Sequence, residues 1–211
     1  MQRWVRSLLL CALATLALAA PARAATAYGD EKSGPVMLNL KGGASIPLYV
    51  QGGDRDNLPT SGVLQLELGF ALDRERRAYL VVPLEAHIGV RSTGNDAASA
   101  SLTFARLLLP VGFQYDIPLG RSGLFLSPRI SAGYVAYITR GMASLGSASI
   151  SAEGTRHGGV IAPELGLKYV VNGRFNIGIE PFSLPIFLLK DDDDLRVLID
   201  YRICGYVGVN F

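Results

Sequence analysis

The chain has few of the residues that form cross-links and metal sites. Of its two cysteines, Cys11 lies in an apolar N-terminal run and only Cys204 lies beyond it. If that run is removed on export, an intramolecular disulfide is excluded, because one cysteine has no partner. The two histidines, His87 and His157, fall in different segments, so none of the usual metal-ligand spacings occurs. We predict no cofactor.

The chain also has little excess of charge of either sign and few long apolar runs. The formal net charge is +2, with 18% of residues charged, which gives no reason to expect nucleic acid binding. Beyond residue 24 no apolar run reaches the length of about 18 residues that marks a transmembrane helix. These absences exclude a helical membrane protein but are compatible with a membrane-spanning sheet.

The first residues have the organisation of a secretory signal peptide. Two arginines occur among the first six residues, residues 7–20 are almost entirely Leu and Ala, and Ala22-Arg23-Ala24 offers small residues at a cleavage site. A run of about 14 apolar residues is too short to span a bilayer, which argues against a membrane anchor. We therefore predict a signal peptide at 1–24, cleavage after Ala24 and one domain over residues 25–211.

Apolar and polar residues alternate through most of the remaining chain, in segments separated by Gly, Pro, Asn and Asp. A period of two is typical of strands with one apolar face. Eight such segments occur, at 36–49, 61–72, 79–91, 101–117, 123–140, 158–172, 174–188 and 195–211. The seventh is interrupted by Pro181 and Pro185, which disturb strand pairing. The pattern predicts an all-β fold of eight strands.

The alternation alone leaves open which face points inward. A soluble periplasmic barrel that binds a ligand would turn the apolar face inward, whereas a membrane barrel turns it outward. This face carries no charge and is crowded with Leu, Ile and Phe, while an eight-stranded barrel has a narrow interior. Long connections (50–60, 92–100, 141–157 and 189–194) alternate with short ones (73–78, 118–122 and Asn172-Gly173), as outer loops and periplasmic turns do. We predict an eight-stranded antiparallel up-and-down transmembrane β-barrel.

The last six residues, Tyr206-Val207-Gly208-Val209-Asn210-Phe211, continue the alternation to an aromatic end. With the eight strands, they make the chain similar to the OmpA/OmpX-type small outer-membrane barrels of Gram-negative bacteria, for the barrel only and without a peptidoglycan-binding domain. The resemblance implies that Phe211 is part of the signal read by the barrel-assembly machinery. It also implies a place in the outer membrane. The aromatic residues expected at the membrane interfaces are Tyr49, Phe70, Phe113, Tyr115, Phe175, Tyr201 and Phe211.

The inward face carries charges near mid-height on every strand. In chain order they are Lys41, Glu67, Glu85, Arg106, Arg129, Glu164, Glu180 and Arg202. Their signs give every charge an opposite neighbour on one adjacent strand, and a buried charge without a partner is costly. We predict an ion-pair plug that fills the lumen, with His87 as a member of the network and Cys204 as a small packed side chain. The alternative is a narrow pore for small solutes.

His157 raises the possibility of a lipid A-modifying hydrolase. A Ser-His-acid triad needs a hydroxyl within hydrogen-bond reach of the imidazole. The lipid A deacylase family has its serine two residues beyond the histidine, where this chain has Gly159. The nearby Ser149, Ser151 and Thr155 lie on a loop of uncertain shape, so a polar residue at the barrel rim is favoured for His157.

Four consecutive carboxylates, Asp191, Asp192, Asp193 and Asp194, follow Lys190 in the last outer loop. Such a charge run is usually a solvated turn. The alternative is a divalent cation loop, because Ca²⁺ and Mg²⁺ prefer hard oxygen ligands.

The favoured function is that of a non-enzymatic outer-membrane barrel with a structural, adhesive or envelope-integrity role. Its expected partners are outer-membrane lipid and lipopolysaccharide, and the barrel-assembly machinery during biogenesis. A monomer is expected. The fold by itself does not supply a function, because similar barrels do unrelated jobs.

Overall fold

The computed structural model describes residues 34–51, 59–94, 98–120, 123–145, 148–191 and 194–211, so the predicted signal peptide lies outside the described residues. The strands are β1 (Val36–Val50), β2 (Ser61–Ala71), β3 (Ala78–Gly94), β4 (Ala98–Tyr115), β5 (Ile117–Pro118), β6 (Leu124–Leu145), β7 (Ala148–Val171), β8 (Phe175–Ser183), β9 (Ile186–Asp191) and β10 (Asp194–Asn210). No helix in these ranges is long and apolar enough to cross a membrane.

The strands form one closed antiparallel ring. Its order is β1, β2, β3, β4, β6, β7, then β8 and β9 together, then β10, which pairs again with β1. The two-residue β5 pairs with β6 beyond the end of β4. Strands β8 and β9 both lie between β7 and β10 and share one position. The ring therefore has eight positions, which confirms the predicted eight-stranded barrel.

The seventh position is divided where the sequence places its second proline. Strand β8 ends at Ser183 and β9 begins at Ile186, so Leu184 and Pro185 separate them. The gap is held on both sides, because the Leu184 N–H donates to the Pro163 carbonyl (3.0 Å) and the Asp200 N–H donates to the Pro185 carbonyl (3.1 Å). Proline has no N–H to offer to a neighbouring strand, which explains the break in the ladder.

Two short turns at the end of the barrel where β1 begins and β10 ends show how the sequence reverses the chain. Asn172 and Gly173 both have positive φ (53° and 65°), as a two-residue hairpin of type I′ requires. In the turn between β2 and β3, one oxygen of Asp73 accepts hydrogen bonds from the backbone N–H groups of Arg77 (2.8 Å) and Ala78 (3.0 Å). Both turns lie at predicted short connections.

The connections at the opposite end differ from the prediction. Strands β6 and β7 continue into the predicted loop 141–157 as a hairpin that pairs as far as Leu145 and Ala148. β3 and β4 likewise extend to Gly94 and Ala98, and β4 pairs with β6 along this extension. Backbone pairing satisfies the N–H and C=O groups that face a neighbouring strand here, although the small side chains give little sequence signal for a strand.

The two faces of the ring have opposite character. Large apolar side chains on the outside are exposed all around it, among them Leu64, Leu84, Leu107, Ile130, Ile179 and Ile203. Of the seven aromatic residues expected at the interfaces, all except Tyr201 are exposed by at least 41%. Tyr201 is half-buried, and its hydroxyl donates a hydrogen bond to the Pro181 carbonyl. Charged side chains line the inside, which is the arrangement of a transmembrane β-barrel.

Candidate functional site: the charged lumen

All eight residues predicted for the lumen point inward and are at least 94% buried. The alternation places them there, because a strand turns successive side chains to opposite faces. The contacts between them depend on distances across the lumen as well as along the sheet.

Arg129 on β6 lies at the centre of the lumen. Its guanidinium contacts the carboxylates of Glu67 and Glu164 and lies 3.1 Å from that of Glu180. The Lys41 ammonium contacts Glu180 and lies 2.8 Å from Glu67. Two cations and three carboxylates from five strands therefore form one cluster, in which every charge has at least one opposite partner.

Arg202 on β10 connects this cluster to a fourth carboxylate. Its guanidinium contacts Glu164 on one side and Glu85 on the other. Glu85 also contacts the ring of His87, which is fully buried. Seven of the eight predicted residues therefore belong to one continuous network, and His87 lies at its edge.

Arg106, the eighth predicted residue, belongs to a separate ion pair. Its guanidinium contacts the carboxylate of Asp200 on β10, to which Ser45 donates a hydrogen bond of 2.7 Å. The sequence predicts partners on adjacent strands, whereas β4 and β10 face each other across the ring. The lumen of an eight-stranded barrel is narrow enough for long side chains to meet from opposite walls, so Arg106 is not limited to partners on adjacent strands.

Three aromatic rings surround the Arg106 guanidinium. Its central carbon lies 4.7 Å from the ring centroid of Phe104, 4.8 Å from that of Phe187 and 5.4 Å from that of Tyr137. Aromatic ring faces attract a cation, most strongly where water is excluded. The rings therefore stabilise a charge for which the described residues provide a single carboxylate partner.

A further ion pair, which the sequence analysis does not predict, lies near the end of the barrel where β1 begins and β10 ends. The Lys168 ammonium on β7 contacts Asp116, which also accepts hydrogen bonds from Gln114 (2.9 Å) and Ser127 (2.7 Å). Both charged residues lie in the inward register of their segments, so the alternation contains this signal. They lie away from mid-height, where the predicted charges are.

Apolar side chains close the lumen above and below the charges. The outer layer packs around Arg106 and consists of Phe104, Leu108, Val135, Tyr137, Val160, Phe187, Leu189 and Leu198. A smaller layer, near the start of β1 and the end of β10, consists of Met37, Tyr79 and Val81. The charged network therefore lies between two apolar layers.

Several buried polar atoms in the lumen have no hydrogen-bond partner among the described residues. They belong to Asn39, Gln65, His87, Arg106, Asn176, Glu180, Asp200, Arg202 and Asn210. Buried polar groups of this kind are the ones that internal water satisfies in other proteins.

The residues considered for a hydrolase are not brought together. His157 lies on the outer surface of β7, where its Nδ1 and the Tyr134 hydroxyl are hydrogen-bonded. Glu164 points into the lumen and binds Arg129 and Arg202. Gly159 lies on the outer face at the position where the deacylase pattern has its serine.

The remaining predicted sites are described only in part. Asp192 and Asp193 lie outside the described residues, and β9 and β10 pair up to Asp191 and Asp194. The cation loop therefore stays a prediction. Within the described ranges, no group of three or more His, Cys, Asp or Glu side chains could hold a metal ion. Cys204 is a buried free thiol.

Phe211, the predicted assembly signal, lies at the end of the seam between β1 and β10. Its backbone N–H donates to the Val36 carbonyl (2.8 Å), and its own carbonyl accepts from Val36 (3.3 Å). Its side chain is 68% exposed on the apolar outer face.

Comparison with solved structures places this architecture among known folds. OmpT, the outer-membrane protease of Escherichia coli, is 9% identical over 84% of this chain and 94% of its own, with a TM-score of 0.52. The fold is that of an outer-membrane β-barrel. At this identity the likeness establishes the fold alone.

Two smaller outer-membrane proteins are also similar. Ail, the attachment invasion locus protein of Yersinia pestis, is 14% identical over 83% of this chain and 99% of its own, with a TM-score of 0.49. The Neisserial surface protein NspA is 11% identical over 84% of this chain and 97% of its own, with a TM-score of 0.47. No protein-family model matches the chain, and no curated protein matches it.

Proposed function

We propose that this chain is a non-enzymatic barrel of the outer membrane, closed to solutes, that has a structural or adhesive role in the cell envelope. The observation that carries the proposal is the filled lumen, in which paired charges lie between two apolar layers. A solute would have to break several buried ion pairs to pass, and each break leaves an uncompensated charge at a cost of several kcal/mol.

Planar-bilayer recording tests whether the barrel is closed. The wild-type chain should give no steady conductance. Removing Arg129 and Arg202 together should open the lumen if the plug closes it, whereas Arg74→Gln, in a turn outside the barrel, should leave it closed. A steady wild-type conductance would overturn the closed-barrel proposal.

A narrow pore is the second candidate, and the unpartnered polar atoms along the lumen favour it. Water bound to these atoms would give small ions or protons a hydrated path through the lumen. The same recordings separate the two candidates, because a pore conducts without any substitution.

The adhesive role is supported by the sheet that extends beyond the barrel at the loop end. The β7 stretch 148–156 pairs with β6 on one side, while the described β9 first pairs with β7 at His157. Residues 149–155 are exposed. An open strand edge of this length can pair with an extended segment of another protein through main-chain hydrogen bonds.

Adjacent proline substitutions test this edge. Neighbouring residues of a strand direct their N–H groups to opposite sides, so one of Ser151→Pro and Ala152→Pro removes an outward donor while the other disturbs the β6 pairing. Cells that display the variant without the outward donor should lose adherence to immobilised extracellular-matrix proteins while the barrel stays folded. Unchanged adherence with both variants would remove the adhesive role.

The non-enzymatic part of the proposal is supported by the separation of His157 from Glu164. Mass spectrometry of lipid A from cells with the wild-type chain and with His157→Ala provides the test. Identical lipid A in both is expected, and a modification that depends on His157 would establish the hydrolase instead.

The proposal includes export and assembly. The signal peptide 1–24 would be removed after Ala24, the barrel-assembly machinery would recognise Phe211, and the folded monomer would contact outer-membrane lipid and lipopolysaccharide. N-terminal sequencing of the membrane-bound protein tests the cleavage site, for which Ala25 should be the first residue.

A further inference from the structure

Four inward-facing positions form one row across the sheet near the end of the lumen where β1 begins. Asn39 on β1 is directly opposite Glu67 on β2 and Gly208 on β10. Gly208 is in turn directly opposite Asn176 on β8. The inward residue of β1 below this row is Met37, which belongs to the smaller apolar layer. The row therefore lies between that layer and the charged network.

Two side-chain oxygens of this row meet at Gly208, which has no side chain of its own to fill the lumen. A Cβ atom at this position would overlap Asn39 Oδ1 and lie 2.7 Å from Asn176 Oδ1. Both asparagines are at least 97% buried, and neither oxygen has a hydrogen-bond partner among the described residues. Two buried acceptors that face the same point are unfavourable unless a donor or a cation lies between them.

The amide of Asn39 is fixed in this orientation. Its Nδ2 donates to Glu67 Oε1 (2.9 Å), and a rotated amide would direct its oxygen toward that carboxylate. Asn176 Nδ2 donates to Asn210 Oδ1 (3.0 Å), and the two amides could rotate together. Asn176 would then donate toward Asn39 Oδ1, and no ligand would be needed. The charge of the surrounding groups decides between these two arrangements.

The neighbouring network has an excess of negative charge. Among the described residues, it contains four carboxylates and three basic side chains, which are Glu67, Glu85, Glu164 and Glu180 with Lys41, Arg129 and Arg202. A buried charge without a counter-charge is costly. One further positive charge would balance the network, and rotation of the amides does not supply it.

His87 is the described neighbour that could supply this charge by taking up a proton. Its Nε2 contacts Glu85, so an imidazolium would carry its second N–H on Nδ1. That nitrogen has no partner among the described residues, and the residue directly opposite His87 on β4 is Arg106, whose charge would repel an imidazolium. The neutral ring, which donates from Nε2 to Glu85, avoids both costs. The network therefore keeps its excess negative charge.

We propose that Asn39 and Asn176 bind a small monovalent cation at Gly208, beside Glu67. Carbonyl oxygens replace the hydration shell of such ions in other proteins. A divalent cation would reverse the imbalance of charge, and Ca²⁺ and Mg²⁺ usually take carboxylate ligands. The inference rests on the charged plug of the proposed function, to which the bound cation would belong.

The dependence of stability on Na⁺ provides the first test. Protein purified from outer membranes into detergent is unfolded with urea in NaCl or in N-methylglucamine chloride, at equal pH and ionic strength. A ligand that binds the folded state alone raises the ratio of folded to unfolded protein tenfold for each tenfold rise in its concentration above the dissociation constant. We expect this rise with Na⁺. Equal stability in the two salts would overturn the proposal.

Selective ¹⁵N-asparagine labelling gives a readout at the site itself. Na⁺ should shift the side-chain amide signals of Asn39 and Asn176. Asn172, in the turn between β7 and β8, is exposed and serves as the internal reference. If the two amides pair with each other, or if a water molecule lies between them, Na⁺ shifts neither signal and the cation site is wrong.

Substitutions at the site separate the oxygens from the space that they surround. Asn176→Leu removes one oxygen, and Gly208→Ala places a methyl group where the cation would lie, so both should lose the dependence on Na⁺. If Gly208→Ala does not fold, Asn176→Leu carries the test alone. Gln114→Leu removes a buried amide from β4, on the opposite side of the ring, and should depend on Na⁺ as the wild type does.

Glu67→Gln tests the role of charge. It leaves three carboxylates for three basic side chains, while Lys41 keeps Glu180 and Arg129 keeps Glu164. The balanced network should no longer depend on Na⁺. An unchanged dependence in this variant would show that the excess charge does not hold the cation, which contradicts the proposal.

The outcomes distinguish this inference from the proposed function. If the barrel gives no conductance in planar bilayers and its stability is the same in both salts, the cation site is wrong and the closed barrel stands. If the barrel conducts steadily but its stability and its asparagine signals respond to Na⁺, the closed barrel is wrong and the cation site stands.

Discussion

Arg106 and Asp200 form an ion pair between strands on opposite sides of the barrel. Both side chains are buried, and the described structure gives Arg106 no second carboxylate. Asp200→Asn should therefore leave a buried cation without a counter-charge and destabilise the barrel by about 3 to 5 kcal/mol. Urea unfolding in lipid vesicles measures the change.

A double substitution provides the control for this pair. Arg106→Met with Asp200→Leu removes both charges and should restore most of the lost stability, because two apolar side chains of similar size leave no charge unpaired. If Asp200→Asn lowers the free energy of unfolding by less than about 1 kcal/mol, the aromatic rings and water are sufficient to stabilise the Arg106 charge.

Glu85→Gln tests the larger network. Glu85 contacts Arg202 and His87, while Arg202 keeps a second carboxylate in Glu164. The expected loss is a few kcal/mol, and smaller than that for Asp200→Asn, because the arginine remains paired. Equal losses in the two variants, measured by the same unfolding assay, would show that the network behaves as isolated pairs.

Phe211→Ala separates folding from assembly. The aromatic side chain is exposed and its backbone pairs with Val36, which alanine also permits. Purified, refolded protein should keep its heat-modifiable gel mobility, while the amount of folded protein in the outer membrane of cells should fall several-fold. Val207→Ala, on the same outer face of β10, is the matched control and should assemble normally. Equal amounts for both variants would remove the role of Phe211 as a signal.

Asp73 gives a pH-dependent contribution that lies outside the membrane-spanning strands. The backbone N–H groups of Ala78 and Arg77 donate to its carboxylate and hold the pKa of that group below its ordinary value. A group whose pKa is lowered by folding stabilises the folded state above its unfolded pKa, and the contribution is lost as pH falls through the folded pKa. Carbon-detected NMR titration should give a midpoint below that of an unstructured peptide, and Asp73→Asn should flatten the acid dependence of stability.

The alternation in the sequence is sufficient to predict the faces of the strands. Lys41, Glu67 and Arg202 could be assigned to the lumen because a one-residue change of register moves every side chain of a strand to the other face. The Lys41–Glu67 and Arg129–Glu164 contacts join adjacent strands, as the sequence predicts. The Lys41–Glu180 contact could not be predicted, because it passes over β10 and depends on the stagger of strands that sequence spacing does not report.

The extended hairpin was missed for a different reason. Residues 148–155 alternate small or apolar residues (Ala, Ile, Ala, Gly) with polar ones (Ser, Ser, Glu, Thr), but Ile150 is the single large apolar residue among them, so the strand signal is weak. The strand forms because β6 supplies its backbone hydrogen bonds. The Tyr134–His157 contact could not be predicted either, because the two residues are 23 positions apart and meet only through strand pairing.

At the seam between β1 and β10, Met37 pairs with Asn210, whereas the other neighbouring strands of the ring lie near each other in the sequence. Closing so long a loop costs more entropy than forming a hairpin, so this seam is expected to form last. Until it does, the sheet has two free edges that are prone to pair with other chains. Because β10 is synthesised last, the ring cannot close until the whole chain is available. The two edges must therefore be protected from pairing with other chains until the protein reaches the membrane.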